Sequence, residues 1–348
     1  MSRYIGYFGT YTKEESEGVY QFTLDTETKE ITEVKLAAAL DNPTYLTISN
    51  DNKNLYAVSK EGEYGGITAF AIQPETGELA KLNNQASKGS APCHVSVDST
   101  NSQVVTANYH TTKIESYLTN DDGSLKPVVS VIEHEGSGPH ARQEKPHMHF
   151  AGFTPDNQYI IAVDLGSDRI ITYATDNGNL KEVHVHKVTS GSGPRHITFH
   201  PNGKFAYVMT ELSSQVITLH YDEKDGSFTE QQYISTLPED FAETNDASAI
   251  HITSDGKYLY SGNRGHNSIA VFQVDQESGL LTFIEWTSTE GNWPRDFVLD
   301  PSEKFLLVTN QKSNTCTLFG RDEATGRLDL LQAGVKVPEP VCVKFLGE

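Results

Sequence analysis

The chain has 348 residues, of which 36% are hydrophobic, and its formal net charge is −20 at pH 7. This acidic balance argues against nucleic acid and anionic membranes as partners, because both are polyanions. The sequence has no apolar run of membrane-spanning length, no secretory signal at Met1–Ile5, and three cysteines without disulfide or metal spacing, so we expect a cytoplasmic protein.

The first predicted element is a strand over residues 4–8, and a repeated phrase follows it along the chain. Each copy has an anchor residue, a short apolar run, a polar turn and a second apolar run; the clearest copy predicts strands over 195–200, 205–211, 215–222 and 228–234. A β-rich repeat of roughly 50 residues is typical of a propeller with one blade per repeat. The anchors are Pro43, Pro92, Met148, Pro194, Ala247, Pro294 and Pro340.

The two ends of the chain complement each other. The last copy stops after one strand, 341–346, and the N-terminal strand resembles the second strand of a blade. Pairing them closes the ring and leaves no exposed sheet edge. The sequence therefore predicts an all-β fold: a single domain, 1–348, forming a seven-bladed β-propeller with four antiparallel strands per blade and one blade shared by the termini.

Two segments exceed the repeat length, namely 133–145, which is rich in glycine, histidine and charge, and the acidic segment 238–246. Both precede an innermost strand, so we expect them on the same face of the disc. Long loops on one face commonly carry function. Whether His140 or Arg142 of the first segment reaches the mouth of the central channel is left open by the sequence.

Two sets of equivalent residues are predicted to surround one mouth of that channel. The residues after the anchors begin the innermost strands, and those 16 positions later end the antiparallel second strands, which return to the same mouth. The first set is Thr44, Cys93, His149, Arg195, Ser248, Arg295 and Val341; the second is Lys60, Tyr109, Leu165, Glu211, Arg264 and Gln311.

Charged side chains at such a place are costly unless they are paired or functional. We predict that His149, Glu211, Arg195 and Arg264 are catalytic, and that the substrate is bound by Arg295, Lys60, His266, Asn108 and Gln311. Each central residue also has a structural alternative. His149 could bond to a backbone carbonyl, Glu211 could tie its blade to Arg195, and Arg295 could pair with Asp296 or Asp300.

The residue types narrow the chemistry. Arginines bind carboxylate or phosphate and stabilise an oxyanion, and a histidine accepts a proton near neutral pH. No Gly-x-Ser-x-Gly motif or phosphate-binding glycine loop is present. His147 and His149 lie two apart on a strand but lack a third ligand at metal spacing, so we expect neither a metal nor a cofactor. The expected reaction is attack of water on, or proton transfer within, a small anionic substrate.

Several of these segments carry a family resemblance: 149–157, Gly193-Pro194-Arg195-His196, 207–212, Asn263-Arg264 and Pro294-Arg295-Asp296-Phe297 with Gln311-Lys312-Ser313. Over the whole chain they resemble the propeller-type 6-phosphogluconolactonases, which are similar to the fungal carboxymuconate cyclases. The resemblance implies hydrolysis of 6-phospho-D-glucono-1,5-lactone to 6-phosphogluconate in the pentose phosphate pathway. The His, Glu and two Arg residues proposed for the cyclase site correspond to His149, Glu211, Arg195 and Arg264.

On this hypothesis His149 takes a proton from water, Arg195 and Arg264 stabilise the oxyanion, and Glu211 fixes the two arginines and His149. Arg295 with Lys60 holds the phosphate. The sequence leaves open whether His149 or Glu211 removes the proton. Two other functions remain open: a cyclase, isomerase or lactonase acting on another anionic lactone, and a propeller that only binds a partner. The convergence of charge at one mouth argues against a pure scaffold, which more often exposes apolar surface. We expect a monomer or a weak homodimer.

Overall fold

The computed structural model describes residues 3–347; Met1, Ser2 and Glu348 of the predicted domain lie outside them. Seven antiparallel sheets of four strands each are present in this range, so the predicted fold class is confirmed. In the fourth copy the strands begin and end within one residue of the sequence prediction. The single helical element in residues 3–347 is the three-residue 3₁₀ turn Gln311–Ser313, so this range contains no helix that could span a bilayer.

The four strands of each blade run from the hub to the rim. The innermost strands are β4 (Leu46–Ile48), β8 (His94–Val97), β12 (Met148–Phe153), β16 (Pro194–Phe199), β20 (Asp246–Ile252), β24 (Pro294–Leu299) and β28 (Pro340–Phe345). The second strands are β1 (Arg3–Thr10), β5 (Asn54–Glu61), β9 (Gln103–Ala107), β13 (Tyr159–Asp164), β17 (Phe205–Thr210), β21 (Tyr258–Arg264) and β25 (Phe305–Asn310). The third strands are β2 (Gly18–Asp25), β6 (Tyr64–Ile72), β10 (Lys113–Leu118), β14 (Arg169–Asp176), β18 (Gln215–Asp222), β22 (Ser268–Val274) and β26 (Thr315–Arg321). The outermost strands are β3 (Glu30–Ala39), β7 (Leu79–Lys88), β11 (Ser130–Glu133), β15 (Asn179–Lys187), β19 (Ser227–Ser235), β23 (Leu281–Ser288) and β27 (Leu328–Lys336).

The ring closes through both termini. Strand β28 pairs antiparallel with β1, from Gly6 opposite Phe345 to Thr10 opposite Pro340. Each innermost strand contacts the next one around the hub, and β28 contacts β4. The shared blade that the sequence predicted is therefore confirmed.

The apolar core lies between the blades. Seven clusters of buried side chains occur in residues 3–347, and each joins the faces of two neighbouring sheets. Tyrosines of the second strands also form hydrogen bonds between neighbouring blades. Tyr207 Oη donates to the Gly279 carbonyl at 2.9 Å, and Tyr7 Oη donates to the Gly77 carbonyl at 2.7 Å. Both glycines occupy the positive-φ position of a third-to-fourth-strand turn (φ 72° and 68°), which places their carbonyls within reach of the neighbouring blade.

β-Bulges at the start of the innermost strands set the geometry of the hub. In three blades the register shifts at the residue after the anchor, which leaves His149, Arg195 and Arg295 without a partner in the ladder. A bulged residue breaks the strict alternation of side chains and is often found beside active sites. In these three blades, the members of the first predicted set around the channel mouth are therefore bulged residues.

Candidate functional site

A cavity of about 400 Å³ opens at the predicted mouth of the channel. Within residues 3–347 its lining contains six lysines or arginines but only two carboxylates, although the whole chain is strongly acidic. The volume lies in the range of small-molecule sites. The basic lining residues are Lys13, Lys60, Arg142, Arg195, Arg264 and Arg295.

Glu211 lies at the centre of an arginine cluster. It follows β17, and its buried carboxylate contacts Arg195 Nε at 2.9 Å and Arg264 Nη2 at 2.6 Å through Oε2. Its other oxygen, Oε1, accepts from Arg142 Nη2. Three guanidinium groups from three different parts of the chain thus share one carboxylate.

The electrostatics of this cluster follow from burial and proximity. Burial alone would raise the pKa of Glu211, but Arg264 and Arg195 outweigh it and hold that pKa far below its usual range. Burial, together with the nearby Arg264, lowers the pKa of Arg195 to about 10. Glu211 is therefore ionised at neutral pH and is a very poor proton acceptor. Its role in the geometry is to hold the arginines.

His149 lies beside this cluster and is buried. Burial, and next the charge of Arg195, lower the pKa of His149 well below its ordinary value, so the ring is neutral at physiological pH. Its Nδ1 has no hydrogen-bond partner among the described residues, and the same is true of the Arg195 Nε–H, whose ion pair with Glu211 is poorly aligned. The predicted structural alternative, a bond from His149 to a backbone carbonyl, stays open, because a backbone hydrogen bond at His149 itself opposes the effect of burial on the pKa of the ring.

Arg295 and Lys60 face the same cavity without an acidic partner. Neither takes part in any ion pair within residues 3–347. Asp296, the alternative partner of Arg295, instead lies 3.8 Å from Lys344, and Asp300 accepts hydrogen bonds from its own turn. The cavity therefore holds two kinds of cation: arginines that share the carboxylate of Glu211, and Arg295 and Lys60, which have no ion pair. Arg295 is close enough to the first group for its charge to lower the pKa of His149 and of Arg195.

Three residues predicted to bind substrate do not line the cavity. Asn108 is used by its own turn, because its Nδ2 donates to the Ser90 carbonyl and its Oδ1 accepts from the backbone of His110. Gln311 begins the 3₁₀ turn, where strand alternation no longer decides the direction of a side chain. His266 packs toward the rim against Trp286 of the outermost strand β23.

Arg142 answers the question that the sequence left open. Its guanidinium reaches Glu211 and also Asp246, the latter at 2.8 Å, so the segments 133–145 and 238–246 meet on one face as expected. Gln143 fixes this position, since its buried side chain donates to the Leu165 carbonyl and to Asp168 Oδ1, both at 2.8 Å. Loop conformation, which the repeat does not encode, decides this contact.

Two further lining residues, Tyr11 and Lys13, were missed because the sequence reasoning followed only the repeat positions. The available signal was length: the connection 11–17 between β1 and β2 has seven residues, whereas the six equivalent connections have two to five.

The remaining groups limit the chemistry that the cavity can perform. Cys93 lines it, but burial raises the pKa of its thiol to about 11, so it is not a thiolate nucleophile near pH 7. No group of three potential metal-binding side chains occurs in the part of the chain that the structure describes. What the geometry offers is a neutral imidazole, a set of fixed guanidinium donors and unpaired cations.

Comparison with known proteins agrees with this fold. The model of the lactonase family described as a seven-bladed β-propeller matches residues 5–345. Over its full 348 residues the chain is 54% identical to the 6-phosphogluconolactonase of Bacillus subtilis (strain 168), which is covered completely.

Solved structures give the same result. A crystal structure of a protein from Lactobacillus plantarum is 43% identical, with a TM-score of 0.95, and that of the periplasmic gluconolactonase of Pseudomonas aeruginosa is 32% identical, with a TM-score of 0.94. In both cases 99% of each chain is covered. The protein belongs to the lactonase family of seven-bladed β-propellers, and the predicted family resemblance is confirmed.

Proposed function

We propose that this protein hydrolyses 6-phospho-D-glucono-1,5-lactone to 6-phosphogluconate, the lactonase step of the pentose phosphate pathway. The observation that carries the proposal is the combination, in one cavity, of a neutral His149 beside fixed arginines with the cations Arg295 and Lys60, which have no ion pair. The first group suits attack of water on a carbonyl carbon, and the second suits a phosphate. The name of the Bacillus subtilis relative supports the same substrate.

In this mechanism His149 accepts a proton as the oxygen of water bonds to the lactone carbonyl carbon. Arg195 and Arg264 stabilise the negative charge that develops on the carbonyl oxygen. The ring C–O bond then breaks, and the proton held by His149 passes to the departing ring oxygen. The product acid ionises, which releases one proton for each lactone hydrolysed.

Glu211 acts in this proposal by position and not as a base. Its low pKa leaves it unable to accept a proton near neutrality, whereas its contacts keep three guanidinium groups in place before substrate arrives. Preorganised donors do not have to reorient during the reaction, which is the main source of oxyanion stabilisation in enzymes.

The test measures the disappearance of freshly generated 6-phosphogluconolactone against its spontaneous rate, with the product coupled to its dehydrogenase. We expect hydrolysis well above the spontaneous rate, and a loss of about 10²–10⁴-fold in kcat for His149→Ala. His184→Ala, which removes a histidine from the outermost strand β15, is the matched control and keeps full activity. Full activity in His149→Ala disproves the assignment of the base.

A second substrate has a specific observation in its favour. The Pseudomonas aeruginosa structure with a TM-score of 0.94 is named a gluconolactonase, without the phosphate. Comparing kcat/KM for glucono-1,5-lactone and its 6-phosphate distinguishes the two. We expect the phosphorylated lactone to be preferred, because an unpaired Arg295 and Lys60 have no role toward a neutral sugar.

A further inference from the structure

The connection 11–17, which we call the strap, departs from the repeat and reaches the substrate cavity. It joins β1 to β2 and is the longest of the second-to-third-strand connections in residues 3–347. Tyr11 and Lys13 of the strap lie in the cavity wall beside Arg295 and Lys60. Because the extra length of the strap brings two side chains to the cavity, we infer that the strap has a role in ligand binding as well as in the fold.

Glu339 holds the strap from one side. Its buried carboxylate accepts the backbone N–H of Lys13 at 3.1 Å and that of Glu14 at 2.9 Å, and its own carbonyl accepts from the N–H of Tyr11 at 3.0 Å. Glu339 takes part in no ion pair within residues 3–347, and its backbone lies in the left-handed region, with φ 47°. The backbone of Glu339 is in an unfavourable conformation, and its buried carboxylate depends on the N–H groups of the strap for hydrogen bonds. These hydrogen bonds fix the path of the strap.

Asp41 and Asn42 hold the strap from the other side. Thr12 Oγ1 donates to Asp41 Oδ1 at 2.5 Å, and the N–H of Asn42 donates to Thr12 Oγ1 at 3.1 Å. The strap is therefore attached on both flanks, and the carboxylates of Asp41 and Glu339 are both engaged by strap donors.

The strap brings a cation, Lys13, close to Arg295 in the cavity wall. Lys13 Nζ lies 4.1 Å from the centroid of the Tyr11 ring, and the Arg295 guanidinium carbon lies 5.6 Å from the same centroid. Neither cation forms an ion pair within the described residues. Two like charges near one ring repel each other, and an anion that contacts both of them removes that repulsion. The arginines at Glu211 differ from these two cations, because that carboxylate compensates part of their charge.

We propose that the strap completes a phosphate subsite, in which Lys13 joins Arg295 in contacting the terminal phosphate and Glu339 is the positioning residue that sets the place of Lys13. The strap thereby determines specificity for phosphorylated over unphosphorylated lactones. This inference rests on the proposed function, since it assigns the phosphate end of that substrate.

The experiment compares Lys13→Met, Glu339→Gln and the control Lys35→Met, an exposed lysine on the outermost strand of the same blade. KM and kcat are measured for 6-phosphogluconolactone and for glucono-1,5-lactone. In Lys13→Met we expect KM for the phosphorylated lactone to rise about 10- to 100-fold, the effect of one lost hydrogen bond to a charged group, with kcat little changed. Glu339→Gln raises the same KM by a smaller factor, and both variants handle the unphosphorylated lactone like the parent protein.

A general structural defect lowers activity on both substrates equally, and that result, or an unchanged KM for the phosphorylated lactone in Lys13→Met, overturns the inference. Calorimetric titration with inorganic phosphate separates it from the proposed function. If the parent protein hydrolyses no 6-phosphogluconolactone, the proposed function fails, whereas the subsite still stands if phosphate binds the parent and Lys35→Met proteins but not Lys13→Met. Phosphate binding that is absent from the parent, or equal in all variants, rejects the subsite.

Discussion

Replacing Glu211 with glutamine tests the electrostatic centre of the cavity. The substitution keeps the shape of the side chain but removes the negative charge that Arg142, Arg195 and Arg264 share. The buried Arg195 and Arg264 then lie next to each other without compensation, and Arg142, which is 40% exposed, can turn toward Asp246 and solvent.

The magnitude follows from this burial. Removing one partner of a buried ion pair costs about 3–5 kcal/mol, because the remaining charge stays desolvated and unpaired. Two buried guanidinium groups lose their partner here, so we expect Glu211→Gln to lie in that range. This is a large part of the roughly 5–15 kcal/mol by which a folded domain is stable. The control Glu63→Gln removes a carboxylate from an ion pair that is more than three-quarters exposed and should change stability by no more than about 0.5 kcal/mol.

Urea unfolding at pH 7 and again at acidic pH measures this effect. The pKa of Glu211 is depressed in the folded protein, so the stability that its charge contributes is complete above the unfolded pKa of about 4.3 and is lost as the pH falls toward the folded value. The difference between the parent and Glu211→Gln should therefore shrink below about pH 4. A cost under about 1 kcal/mol at pH 7, or a cost independent of pH, refutes the view that this carboxylate neutralises the arginines.

Three further outcomes are expected. The acid limb of kcat/KM, corrected for spontaneous hydrolysis, should have its midpoint below the ordinary histidine pKa of about 6.5, because the pKa of His149 is lowered in the free protein. The acid limb of kcat should have its midpoint at a higher pH than that of kcat/KM, since bound phosphate favours the imidazolium. Cys93→Ala should retain activity within about threefold, because a thiol with a pKa of about 11 takes no part as a nucleophile; a loss of 100-fold contradicts this. Tyr207→Phe should lower the free energy of unfolding by about 1–2 kcal/mol, since the buried Gly279 carbonyl loses its donor, whereas Tyr64→Phe, at an exposed tyrosine, should be neutral in the same urea titration.

The repeat in the sequence was sufficient to predict the blades and much of the cavity. Strands one and two form a hairpin, so residues equidistant from its turn must return to the same mouth. That symmetry correctly placed Arg195 near Glu211 although 16 positions separate them, and ring closure added Arg264 and His149 from other blades. Equivalent positions in a closed ring share a location whatever their separation along the chain.

The repeat did not predict what happens where the strands end. Asn108 and His266 were predicted to bind substrate because they lie close in sequence to Tyr109 and Arg264 of the second predicted set. In the structure Asn108 is used by its own turn, and His266 packs toward the rim. Conversely, Arg142 and Lys13 belong to connections whose conformation depends on nonlocal hydrogen bonds, made by Gln143 and Glu339 respectively. Periodicity carries no information on such contacts, although unusual loop length marks where they occur.

The charge of the whole molecule explains why the cavity needs both kinds of cation. With a net charge of −20, the protein as a whole repels an anionic substrate, and screening limits that repulsion only beyond about 8 Å at physiological salt. The arginines bound to Glu211 carry a reduced net charge, so they orient a carbonyl better than they attract an anion. Attraction must come from cations without a partner, and Arg295, Lys60 and Lys13 are such groups in this cavity. The basic side chains of the cavity thus serve two purposes. Those that share the carboxylate of Glu211 orient the carbonyl, and those without an acidic partner attract the anion.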